Sequence, residues 1–218
     1  VLERHYTMLN GAASILHFPP EQCVPLVSLD EVEQGLRLTL DKPRWLADEG
    51  EVAMNLFSGD TRIYSLMFTL GQPEGRRIAY VGAIQGKAGG DGLEINRGLT
   101  RAAHGMRPRD LLFAAFRMLC TYLQIDAIFG IADARSICRS AYFNDKQIYV
   151  LHDATWREYG GVIRPDGFFE IAAPVVYRDA KDVPARKRAL YRRRYDMLRR
   201  IETAIAERLK DDNSERIT

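Results

Sequence analysis

Cysteine is scarce in this chain. Cys23, Cys120 and Cys138 are odd in number, widely spaced and form no CxxC pair. That pattern excludes a disulfide framework and predicts a reducing, cytoplasmic compartment. Long apolar runs are missing too, so no segment reaches the ~18 residues that span a bilayer. His5, His17, His104 and His152 make no HxH or HxxxH pair, and no metal site is expected. GxSxG, a P-loop and GxGxxG at a strand–helix turn are likewise absent, which removes the signatures of serine hydrolases, P-loop NTPases and dinucleotide binders. No internal repeat or low-complexity tract is present. The chain opens Val1-Leu2-Glu3-Arg4 without methionine or a signal-peptide core. The reading is of a chain that begins inside an amphipathic helix, Val1–Leu9, with residues upstream.

What is present is enough for a full core. Of the 218 residues, 46% are hydrophobic and 28% charged, which suits one globular domain over 1–218. Within it the pattern predicts an N-terminal helix and irregular connection (1–30), a mixed-sheet core (31–175) and a C-terminal helix (183–210). Leu36, Leu38 and Leu40 alternate with polar residues, as do Val52, Met54 and Leu56. Ser58-Gly59-Asp60 then turns the chain into Ile63–Leu70, giving a hairpin. Ile78–Ile84 is apolar on both faces, as a strand covered on both sides should be. Pro108 suits a first helical turn, Leu112 to Leu123 hold helical spacing, and Ala127–Ala132 reads as a second buried strand. A helical crossover makes those two strands parallel. Ala134–Tyr142 is compatible with a short helix, Tyr149–Tyr159 with an aromatic irregular region, and Gly167–Ala172 with a further strand.

After the first buried strand comes a stretch that reads as a long glycine-punctuated loop ending in His104-Gly105-Met106-Arg107-Pro108-Arg109. It carries Arg97, Arg101, Arg107 and Arg109. Loops that leave a parallel strand and open a helix hold anions, because the first helical N–H groups lack intrahelical partners. A phosphorylated cofactor or substrate is the expectation; a solvated basic loop that merely caps a helix is the alternative.

Charge is nearly balanced overall, at +2, but not locally. Arg186–Arg200 contains eight basic residues and one acid, Asp196. Tyr191, Tyr195, Leu198, Ile201, Ile205 and Leu209 recur at helical steps, so this segment should pack one apolar stripe and turn its basic face outward. That face is either simply solvated or a dock for an acidic partner, such as a carrier protein. Nucleic acid is disfavoured, because the aromatic residues lie on the apolar stripe and not among the arginines.

The order of elements resembles the GNAT acetyltransferase superfamily. Antiparallel strands feed a central strand, a loop–helix crossover leads to a parallel strand, and another helix follows. The fold class predicted is therefore α/β, with an α+β mixed sheet and a long basic C-terminal helix. The resemblance implies that the loop after the central strand and the next helix N-terminus hold the pyrophosphate of coenzyme A. It also implies that the splayed parallel pair admits the pantetheine arm. The loop departs from that superfamily in its length.

A second likeness spans Glu3 to Leu209. Gly50-Glu51-Val52, Val81-Gly82-Ala83-Ile84-Gln85-Gly86, Leu99-Thr100 with His104-Gly105-Met106-Arg107-Pro108, Trp156-Arg157-Glu158 with Gly160-Gly161, and Lys187–Tyr195 together resemble the VirK/YbjX family of Gram-negative bacteria. That family is associated with virulence and with tolerance of cationic antimicrobial peptides, and no settled chemistry comes with it. Where the family has a tract ending in histidine, this chain has Asp133-Ala134-Arg135-Ser136-Ile137-Cys138.

The expected activity is transfer of an acyl group from acyl-CoA or an acyl carrier protein to an amine or hydroxyl. The alternative is a non-catalytic binding protein of the envelope-stress response. Ala83, Gln85 and Gly86 would line the pantetheine, and Arg101, Gly105, Arg107 and Arg109 the phosphates. His104, Glu51 and Asp153 are the candidate bases, each with a structural alternative: a loop histidine bonded to a carbonyl, a turn residue, a helix cap. Cys120 reads as packing.

Overall fold

The computed structural model describes residues 14–20, 22–87, 89–136 and 152–214. The predicted helix Val1–Leu9, most of Ala134–Tyr142, Cys138 and Tyr149 lie outside these. Eight strands form a single mixed sheet in the order β1-β2-β3-β4-β5-β6-β8-β7. They are β1 (Val24–Ser28), β2 (Leu36–Asp41), β3 (Val52–Ser58), β4 (Thr61–Gly71), β5 (Ile78–Gly86), β6 (Ala127–Ile131), β7 (Val162–Ile163) and β8 (Phe168–Ala172). Every neighbouring pair is antiparallel except β5 and β6. The helices are α1 (Gly92–Ala102), α2 (Pro108–Tyr122), α3 (His152–Glu158) and α4 (Arg188–Ser214).

The predicted strands and the parallel crossover are present. Three segments read differently. Gly92–Ala102, expected as loop, is helix. Its glycines hide an i, i+4 pair, Ile95 and Leu99, that packs on the core. The irregular aromatic region contains α3. The connection around Pro25 is an edge strand, and a bulge between Pro25 and Val27 breaks its alternation. At the start of Ala134–Tyr142, the segment read as a short helix, Ala134 and Arg135 complete a 3-10 turn begun at Asp133, and Ser136 leaves it with extended backbone.

α2 and α4 cover one face of the sheet. From Leu111 to Cys120 every residue of α2 is buried, so this is the central helix and its burial replaces amphipathicity. α4 buries Leu198, Ile201, Ile205 and Leu209 of the predicted stripe and also Met197, while Tyr191 and Tyr195 of that stripe are half-buried and Arg192, Arg193, Arg199 and Arg200 are exposed. On the opposite face a 3-10 segment, Arg44–Glu49, presses Leu46 onto Ala53, Met67 and Ala83. Beside it Asn55, Thr39 and Ser65 are buried in a hydrogen-bonded network with Arg62 and Asp41, so each polar group lost from water gains a partner.

Candidate functional site

The parallel junction departs from regular pairing. β5 and β6 pair from Ile78 with Ala127 to Val81 with Gly130, and no further. On the other side of β5, Met67 faces Ala83 while Phe68 faces Val81, so Gly82 is an inserted, bulged residue. Bulges bend a strand and end pairing. Here the bend carries β5 onward to Gly86 with β4 alone. Glycine is required at the bulge, since a Cβ at residue 82 would lie 2.0 Å from the Glu49 carbonyl oxygen.

Lys87 N–H donates to the Ile63 carbonyl at 2.8 Å. Strand alternation therefore turns the peptide groups of Gly86 and Ile84 toward the edge that β6 has left. Where the strands part, a cavity of about 190 Å³ is lined by Glu49, Thr69, Tyr80, Gly82, Ile131, Arg135 and Phe168 among others. Nearby Trp156, which is 0% exposed, covers Gly130 and donates its indole N–H to the Ile131 carbonyl at 2.8 Å.

The predicted site residues do not converge on this junction as a group. Ala83 is buried under the 3-10 segment, and Gln85 and Gly86 continue the vacated edge. Glu51 precedes β3, and its N–H reaches the Phe68 carbonyl and Thr69 Oγ1 at 3.1 and 3.2 Å. Alternation places it with Ala53 on the face of the sheet that carries the cavity, outside the cavity's own lining, and burial pushes its carboxyl above the ordinary value of 4.5.

His104 lies elsewhere, in the turn from α1 to α2. Gly105 N–H bonds the Thr100 carbonyl and His104 N–H the Arg101 carbonyl, the Schellman pattern that ends a helix. His104 occupies its left-handed position, with φ 51°, where glycine is usual. Its carbonyl accepts from Arg194 Nε and Nη2 at 3.2 and 2.9 Å. Arg101 is exposed on α1. Asp153 and Asp133 bond reciprocally: each carboxylate accepts the other segment's backbone N–H, from Asp133 at 2.8 Å and from His152 at 2.6 Å. Asp153 is thus committed to holding α3 against the end of β6.

Arg107 and Arg109 are not free to take an anion. Arg107 bonds Asp110 at 2.7 Å and Glu158 at 2.8 Å, and Arg109 bonds Glu158 and Thr155. The Asp110 hydrogen bond holds Arg107 still more firmly protonated, and Arg107 in turn draws the Glu158 carboxyl below its usual range.

Two arginines went unnoticed in the sequence. Arg135 lines the junction cavity, its Nη1 donating to the Asp166 carbonyl; only its place just after β6 signalled it. Arg117 is 7% exposed within α2, and its spacing was that of a core residue.

A profile of the family described as "Protein of unknown function (DUF535)" matches residues 1–207. The chain belongs to this family. It is similar to the "Uncharacterized protein YbjX" of Escherichia coli K12, with 26% identity over 212 residues, 94% of this chain and 64% of that protein. It also resembles an "Uncharacterized protein" of Haemophilus influenzae at 28% identity over 173 residues, 79% of this chain and 57% of the relative. The expected VirK/YbjX kinship is thereby supported. The DUF535 chain spans less than two thirds of either relative's length. Among its described residues no helix is long and apolar enough to cross a membrane.

Proposed function

We propose that this protein is an acyltransferase with a GNAT-like core, taking its acyl group from a phosphopantetheine thioester of coenzyme A or an acyl carrier protein. The observation that carries this reading is the parting of β5 from β6 at the Gly82 bulge, with β5 running on to Gly86. An extended amide-bearing arm pairs with such an edge as a strand would, through the peptide groups of Ile84 and Gly86. The thioester supplies an activated carbonyl carbon and a thiolate leaving group. Glu51 takes the proton of the attacking amine or hydroxyl. Its pKa, raised by burial, makes it a stronger base than an exposed carboxylate.

The helix that directly follows β5 is α1, beginning at Gly92. Under the GNAT analogy its N-terminus would face the phosphates, in place of Arg107 and Arg109, which carboxylates occupy; Lys87 beside it is likewise paired, with Asp91. The exposed basic face of α4, including Arg192 and Arg193, with Arg186 just before the helix, remains the proposed dock for an acidic carrier protein.

A thermal-shift titration with coenzyme A, acetyl-CoA, long-chain acyl-CoA and acyl carrier protein tests this. A donor at 100 times its dissociation constant stabilises by ~2.7 kcal/mol. E51Q is expected to keep the donor's shift and lose transfer. No shift with any donor refutes the reading.

A second reading, a binding protein without chemistry, is favoured by the narrowness of the junction cavity, about 190 Å³. It predicts no turnover and indifference to E51Q.

A further inference from the structure

On the opposite side of the sheet from Gly82, a larger cavity opens between α2, the end of α3, the chain after β8 and the first half of α4. Its volume is about 560 Å³, within the range of small-molecule sites. Met106, Phe113, Val175 and Leu198 give it apolar walls, with Tyr159, Tyr191 and Tyr195 beside them. Its positive charge is unusual in how it is held. Arg117 lines the cavity yet is 7% exposed. Its Nη2 donates to the Tyr159 carbonyl at 2.9 Å, its guanidinium lies 5.1 Å from the Phe113 ring centre, and its Nε has no acceptor among the described residues.

No carboxylate among the described residues pairs with Arg117. The same holds for Arg178 and Arg194, which also line this cavity and bond Tyr191 Oη and the His104 carbonyl respectively. The carboxylates present, Asp110 and Glu158, are taken by Arg107 and Arg109. A buried guanidinium without a counter-charge is costly. Desolvation accordingly lowers the pKa of Arg117, and no carboxylate opposes it. An anion entering the cavity would supply the missing charge, and apolar walls select one with an apolar body.

We propose that this cavity binds an amphiphilic organic anion, its carboxylate or phosphate facing Arg117, Arg178 and Arg194 and its body against Met106, Phe113 and Leu198. The site is separate from the β5–β6 junction and stands or falls apart from the acyl-transfer reading.

Calorimetric titration of the full chain with octanoate, octyl phosphate, inorganic phosphate and 1-octanol tests it. Octanoate or octyl phosphate should bind, and which binds tighter identifies the headgroup; inorganic phosphate and 1-octanol should bind at least about tenfold more weakly. R117M should weaken binding about 10- to 100-fold, the loss of one charged hydrogen bond, without lowering the melting temperature of the unliganded protein. A purely structural arginine would give the reverse: a lower melting temperature and unchanged affinity. R178Q, at an exposed position, should weaken binding severalfold and decides the matter should R117M not fold. Equal binding of 1-octanol, or wild-type affinity in R178Q and a folded R117M, overturns the proposal.

Discussion

Two sets of arginines surround the same helix and are treated in opposite ways. Arg107 and Arg109, at the start of α2, share Asp110 and Glu158 and are partly open to water. Arg117, farther along α2, is buried and has a backbone carbonyl and a ring face where a carboxylate would be expected. The accessible charges are neutralised and the inaccessible one is not. A count of basic residues along the chain therefore misplaces the available positive charge. Long side chains at a surface find counter-ions at little cost and little gain, whereas an unpaired charge in a core persists against a penalty. That penalty makes the second set the more informative.

The contrast depends on α3 staying in place, because α3 brings Glu158 to the first set. Trp156→Ala should have the largest effect, about 3–5 kcal/mol, since the ring is fully buried against Gly130 and Phe113. Chemical denaturation measures it. A cost near 1 kcal/mol would mean that α3 is anchored chiefly by the Asp133–Asp153 exchange. Next, Asp110→Asn removes the negative charge and one of the two oxygens that accept from Arg107 Nε and from the Tyr159 hydroxyl, 3.0 Å away, and should cost about 1.5 kcal/mol. Combined with Glu158→Gln it should erase the difference between the two sets, so that inorganic phosphate gains affinity at Arg107 and Arg109. Unaltered phosphate affinity in the double variant would show that pairing is not what blocks them. In the other direction, His104→Gly relieves a left-handed residue while keeping the carbonyl that Arg194 uses. It should stabilise by about 0.5–1 kcal/mol; a loss of stability would mean the imidazole itself packs there.

Much of the sheet was legible in the sequence because period-two alternation and glycine turns act locally. Leu36–Asp41, Val52–Ser58 and the Ser58-Gly59-Asp60 turn needed no tertiary information. α1 was not legible, since Gly89, Gly90, Gly92 and Gly98 outweigh Ile95 and Leu99 in any local propensity. That error moved the expected phosphate loop from α1 to α2. The bulge at Gly82 was hidden for another reason: its cause, the Glu49 carbonyl pressed against it, arrives from 33 residues earlier in the chain. Pairings such as Arg107 with Glu158 or Asp133 with Asp153 are likewise set by packing, so the candidate bases His104 and Asp153 could be named but not placed. Arg117 had the spacing of a core residue and the chemistry of a surface one, and only the fold shows that both descriptions hold.

The same contrast extends to carboxylates, with opposite signs in pH. Glu158 has its folded pKa lowered, chiefly by the Arg107 hydrogen bond. Its contribution to stability is present above the ordinary value of 4.5 and is lost as pH falls through the lowered one. Because its side chain is 49% exposed, that contribution is small, about 0.5 kcal/mol. Glu51 has its folded pKa raised by burial. Between 4.5 and that raised value the folded state holds the extra proton, so stability falls as pH rises through the window and stays lower above it. Glu51→Gln should therefore flatten the mildly acidic part of a stability–pH curve and be neutral or slightly stabilising at neutrality. Glu158→Gln should act at lower pH and only destabilise above it. Urea denaturation midpoints of the two variants, measured from mildly acidic to neutral pH, separate these outcomes. Curves displaced in the same direction would mean that Glu51 has a cationic partner in solution and is paired as Glu158 is, which would disqualify it as the base.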